Sequence, residues 1–72
     1  MPKLPVLSGK DVVKALERLR FELGRQRGSH VIMQRKSVGC VASLHKQIKS
    51  GTLAGIIRQA QLTQNEFLRA VR

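Results

Sequence analysis

Apolar residues recur at Val12, Ala15, Leu16 and Leu19, the i, i+3, i+4, i+7 spacing of one helical face. They follow Ser8-Gly9-Lys10-Asp11, which reads as a capping box with an acidic residue at N3, so the pattern predicts an amphipathic first helix after an extended, Pro-containing start. From Phe21 the period changes to two: Phe21 and Leu23 alternate with Glu22 and Gly24, predicting a strand that ends in an Arg27-Gly28-Ser29 turn. His30 to Arg35 reads as a second strand. Lys36-Ser37-Val38-Gly39 supplies another turn, and the run Cys40-Val41-Ala42-Ser43-Leu44 reads as a third strand. Connections this short imply an antiparallel meander.

A basic loop, His45 to Gly51, leads to Thr52, the expected N-cap of a helix whose apolar positions Leu53, Ile56, Ile57 and Ala60 repeat the helical spacing. A last short helix opens with Thr63 as N-cap and Glu66 at N3. Leu62 and Phe67 are placed for a hydrophobic staple, and Leu68 and Val71 continue the buried side. Helices before and after a small sheet that must share one core predict an α+β, two-layer domain with the helices on one face. The other face is left for a ligand or partner. With 72 residues, one domain spanning residues 1–72 is expected.

Charge changes this picture most. Fourteen Lys and Arg against four Asp and Glu give a net charge of +10, spread from Lys3 to Arg72, so a polyanion or an acidic protein is the expected partner. The single cysteine, Cys40, forms no intramolecular disulfide, which points to the cytoplasm. The lead from Met1 to Leu7 is too short and proline-broken for a signal peptide, and no apolar run approaches a membrane span.

A metal-dependent nuclease needs clustered carboxylates, whereas Asp11, Glu17, Glu22 and Glu66 are scattered. Cys40, His45 and His30 match no zinc spacing, so neither metal nor other cofactor is expected. RNA cleavage without metal needs less, because the ribose 2′-hydroxyl is the substrate's own nucleophile. The protein must move protons and steady charge on the phosphate. His30 is the side chain suited to a proton transfer near neutral pH. Arg25, Arg27, Arg35 and Lys46 are candidate phosphate clamps, and the Gly28-Ser29 turn lets backbone N–H groups and a hydroxyl approach a phosphate. His45 is a candidate second acid/base or phosphate contact. Strand parity puts His30 on one side with Ile32 and Gln34, but Val31, Ile32 and Met33 are all apolar, which leaves the core-facing side open.

Only Phe21 and Phe67 are aromatic and both read as core, so base stacking is not expected and recognition should lie with the RNA backbone. Two non-catalytic alternatives remain from the residues alone. Thr52 to Ala60, a Gln61-Leu62-Thr63 link and Gln64 to Val71 could form a helix-turn-helix reading DNA bases through Gln64 and Asn65. A ribosome- or RNA-associated module that leaves RNA intact is the other.

Three stretches carry a family resemblance: Leu7-Ser8-Gly9-Lys10-Asp11, then Arg27-Gly28-Ser29-His30 with its following strand, then Leu44-His45-Lys46 through Lys49-Ser50-Gly51-Thr52-Leu53 and Ile56-Ile57-Arg58-Gln59-Ala60. In this order and spacing the chain resembles the HicA (YcfA-like) family of toxin mRNA interferases over nearly its whole length. The resemblance implies a fold similar to a double-stranded-RNA-binding domain, metal-independent cleavage of mRNA, and a HicB-type antitoxin covering the site. It also implies that the histidine of Gly28-Ser29-His30 is catalytic. The chain departs from the family at Ser43, where many relatives have Pro. It departs again at Arg20 and Gln61, where the family often has glycines suited to left-handed helix caps; keeping that conformation costs roughly 1 kcal/mol at each.

Overall fold

The computed structural model describes residues 4–71, so Met1 to Lys3 of the proline-containing lead, and Arg72, lie outside the described residues. Ser8 starts the first helix as its side chain predicts: its Oγ accepts the Asp11 N–H at 3.1 Å and α1 (Gly9–Arg18) follows. This is the forward half of a capping box. Val12, Ala15 and Leu16 on α1 are fully buried.

The elements run α1, β1 (Glu22–Arg27), β2 (His30–Arg35), β3 (Val38–Ser43), α2 (Ser50–Gln59) and α3 (Gln64–Ala70). The strands form one antiparallel sheet in the order β1-β2-β3. Val31 and Met33 of β2 and Cys40 and Ala42 of β3 face the helices, joining Leu16, Ile48, Leu53, Ile57 and Phe67 in a single core. The architecture is the expected α+β arrangement of a helix, a meander and two C-terminal helices. Parity is thereby settled: His30, Ile32 and Gln34 lie on the sheet face that the helices leave uncovered.

Four local expectations are corrected. The third strand starts at Val38 rather than Cys40 and stops before Leu44, because the hairpin turns on Lys36 and Ser37 alone, with Lys36 at φ 56°. Leu23 does not join Phe21 in the core. Phe21 is 2 % exposed and Leu23 57 %: ahead of a register shift between Leu23 and Arg25, Leu23 pairs with Met33 on the helix side of the sheet, but the helices pack beside β3 and leave all six residues of β1 exposed. Thr52 lies inside α2, whose N-cap is Lys49 without a side-chain bond. Ile48, expected in a polar loop, is a core residue: its N–H donates to the Leu7 carbonyl at 2.6 Å, which pins the chain and starts the helix early.

Both expected left-handed caps are present without glycine. Arg20 has φ 74° and Gln61 φ 57°, and the N–H groups of Phe21 and Leu62 reach back to the carbonyls of Leu16 and Ile57 at 3.0 and 3.1 Å, as in a Schellman motif. Replacing Arg20 or Gln61 with glycine is therefore expected to raise stability by about 1 kcal/mol each, read from urea unfolding. At the start of α3 the complete capping box between Thr63 and Glu66 forms. The backbone N–H and hydroxyl of Thr63 hold the Glu66 carboxyl below the usual carboxylate range, so this cap is intact at neutral pH and loosens as pH falls through that lowered value.

Candidate functional site

The hairpin between β1 and β2 turns on Gly28 and Ser29, with Gly28 at φ 56° and nothing within 4 Å of the place a Cβ would occupy. The left-handed backbone, not crowding, is what favours glycine here. Gln26 braces the turn by donating from Nε2 to the Gly28 carbonyl at 3.2 Å. Immediately after the turn His30 is exposed, paired with Arg27 on one side and Ser43 on the other. Cross-strand partners stand about 5 Å apart, so Arg27, His30 and Ser43 form a row across the uncovered face. The next row holds Arg25, Ile32 and Val41. Two arginines and the histidine thus share one side of the sheet.

Backbone hydrogen bonds draw a second segment to the same end. The Leu44 N–H donates to the Ser29 carbonyl at 2.6 Å, and the Gly9 N–H at the start of α1 donates to the His45 carbonyl at 2.8 Å. A Cβ on Gly9 would collide with the Ser43 carbonyl oxygen and lie 2.6 Å from the Leu44 Cα, so only glycine allows α1 to begin here. His45 and Lys46, both exposed, are consequently held beside the Gly28-Ser29 turn. Of the residues expected to act together, Arg25, Arg27, Gly28, Ser29, His30, His45 and Lys46 meet at this end of the sheet. Sequence reasoning missed Gly9 and Ser43, the joint that holds the two segments together; the Ser8-Gly9-Lys10-Asp11 motif contains the signal, but only for a helix start.

Arg35 is placed elsewhere. It closes the opposite end of β2, about 16 Å from His30 at the usual strand rise. Its Nη1 donates to the Leu19 carbonyl at 2.9 Å and its guanidinium lies 4.8 Å from the centre of the Phe21 ring. Those contacts tie the end of α1 to the sheet. Gln64 and Asn65 sit at the start of α3, whose seven residues pack on α1 and α2 in the helical layer.

Cys40 is on the core face, across the sheet from His30. Burial pushes its thiol up to about 11. A thiol in the unfolded chain ionises near pH ~8.5, so burying the neutral form contributes stability below that pH, and this contribution is lost as pH rises toward the folded value. The loss of stability from pH 8 to 11 is expected to be smaller in Cys40→Ala than in the parent chain, measured by urea unfolding at each pH. Among the described residues, no group of three His, Cys, Asp or Glu side chains gathers as a metal cage, and no helix is long and apolar enough to cross a membrane.

A family model described as HicA toxin of bacterial toxin-antitoxin matches residues 9–62. That stretch begins at Gly9 and contains Ser29, His30, Ser43 and His45. No curated protein matches the chain.

Proposed function

The chain belongs to the HicA toxin family of bacterial toxin–antitoxin systems, and from that premise and the geometry at the hairpin end we propose that it is a metal-independent endoribonuclease cleaving mRNA, with His30 as the acid/base group. The observation that carries this reading is the row of exposed Arg27 and His30 with half-buried Ser43 on the uncovered sheet face, with Lys46 and the Gly28-Ser29 turn beside it. An RNA strand lies on that face with its phosphates near Arg25 and Arg27. The 2′-oxygen attacks the adjacent phosphorus while its proton passes to a base; the bond to the 5′-oxygen breaks and that oxygen takes a proton. His30 performs one of these transfers, and His45 is the second candidate. Backbone N–H groups at the turn, the Ser29 hydroxyl and Lys46 steady the negative charge that grows on the phosphate.

The products are a 2′,3′-cyclic phosphate and a 5′-hydroxyl. Incubating a defined RNA with the protein in excess chelator and identifying the new ends tests the proposal; 5′-phosphate ends, or loss of cleavage with chelator, would overturn it. The α–β–β–β–α–α order supports treating residues 1–72 as one domain whose first five elements follow the order of double-stranded-RNA-binding domains, and its mRNA substrate sets it to work in the cytoplasm. Membership of the family brings an antitoxin partner. We assign that partner to the HicB type and place it over His30, where an acidic surface would compete directly with RNA for the basic face.

A further inference from the structure

The sheet has two edges, and they are finished differently. At β3 the Val41 N–H donates to Gln59 Oε1 at 3.3 Å, and the start of α1 packs against Ser43. That edge is partly covered by α1 and α2. β1 pairs only with β2, and all six of its residues are exposed. The closing pair of the hairpin, Arg27 and His30, sets the alternation of the ladder, so the N–H and C=O of Gln26 point away from β2. Past the register shift Leu23 is 57 % exposed and lines a groove of about 770 Å³ with Arg20, Gln34, Arg35, Lys36 and Val38. Edge strands usually carry a device that prevents such pairing, or are built to be paired.

We propose that β1 is a docking edge for an extended, acidic protein segment, which adds as a fourth strand with apolar side chains on Leu23 and acidic ones on Arg25 and Arg27. Charge chooses this occupant. Around the edge Arg20, Arg25, Arg27 and Lys36 face one acid, Glu22, while Arg35 is held by the Leu19 carbonyl. A second copy of the chain could pair Glu22 with Arg27, but that register sets Arg25 opposite Gly24 with no acid to neutralise it and joins two chains of charge +10. A nucleic acid could neutralise the cations, yet it has no main chain to complete the ladder at Gln26. The proposal does not rest on the role of His30, since Leu23 and the groove lie toward the other end of the strands.

The probe is an end-blocked decapeptide of alternating valine and glutamate, titrated into the full-length chain and followed by backbone amide NMR. Shifts centred on Leu23 and Gln26, slowing of Gln26 amide exchange by tenfold or more at saturation, and weakening with added salt are expected. Gln26→Pro removes the outward donor at a position where an edge strand tolerates proline, and should abolish the shifts at Leu23 and the binding. Leu23→Ala, which leaves the backbone intact, should weaken binding severalfold and serves if the proline variant does not fold. Four outcomes would overturn the proposal. They are equal binding of a valine–lysine decapeptide, shifts confined to the Ile32 face, protection of Gln26 that grows with protein concentration alone, and stronger perturbation of Leu23 and Gln26 by a deoxythymidine decamer.

Discussion

His30→Ala is expected to lower the rate of cleavage of a defined RNA by at least about 10²-fold, the ordinary worth of a positioned acid or base, while leaving the unfolding midpoint in urea unchanged. The two halves of that expectation come from the same placement. His30 is exposed at the mouth of the hairpin, outside the core, so removing its imidazole opens no cavity and should change stability by less than about 0.5 kcal/mol. Its partners Arg27 and Ser43 remain to bind RNA, so affinity in a filter or anisotropy assay should fall far less than the rate. A variant that still cleaves at the parent rate would move the proton transfer to His45. A variant that loses binding and cleavage in the same proportion would make His30 a phosphate contact. His45→Ala measured in parallel separates the two histidines, because His45 is attached to the site through its backbone carbonyl and its truncation leaves the Gly9 bond in place.

The sequence made the elements legible wherever side chain and backbone agree. Ser8 and Thr63 each accept the N–H three residues on, and β2 runs from His30 to Arg35 as its place between two turns predicts. Disagreement arose where a distant contact overrides a local preference. Ile48 sits among Lys and Ser and reads as loop, yet its bridge to Leu7 draws it into the core and begins α2 ahead of Thr52, the better capping residue. Leu23 is apolar, two residues from Phe21 and paired with Met33 on the helix side, but the position of the helices beside β3 leaves it uncovered. Arg20 and Gln61 hold left-handed turns that their side chains disfavour, since Phe21 and Leu62 must turn into the core directly afterwards. In the site, the Gly28-Ser29-His30 turn could be read from residue types alone. The meeting of that turn with His45 and Lys46 could not, because it depends on a backbone bond from Gly9, and a missing Cβ leaves no chemical signature in a sequence. Arg35 shows the opposite failure: a cation counted with the phosphate clamps is committed to the Leu19 carbonyl and the Phe21 ring.

Gly9→Ala should be the most damaging small substitution in the chain. The added methyl would meet backbone rather than a movable side chain: the Ser43 carbonyl oxygen, its carbon at 2.9 Å and the Leu44 Cα at 2.6 Å. Relief requires α1 to withdraw from the end of β3, which breaks the bond from the Gly9 N–H to the His45 carbonyl and disturbs Val12, Ala15 and Leu16 in the core. A loss of about 2–3 kcal/mol is expected, which in a domain this small lowers the melting temperature by roughly 10 °C or more. Gly55→Ala provides the contrast. Gly55 is inside α2 with nothing within 4 Å of its missing Cβ, so the same added methyl should stabilise the protein by about 0.5–1 kcal/mol. Cleavage separates a joint from a mere packing contact. At a temperature where Gly9→Ala is still folded, its rate should be well below that of the parent, because the withdrawal carries His45 and Lys46 away from the Gly28-Ser29 turn. Full activity in a destabilised but folded Gly9→Ala chain would mean that His30 and its hairpin act without the second segment.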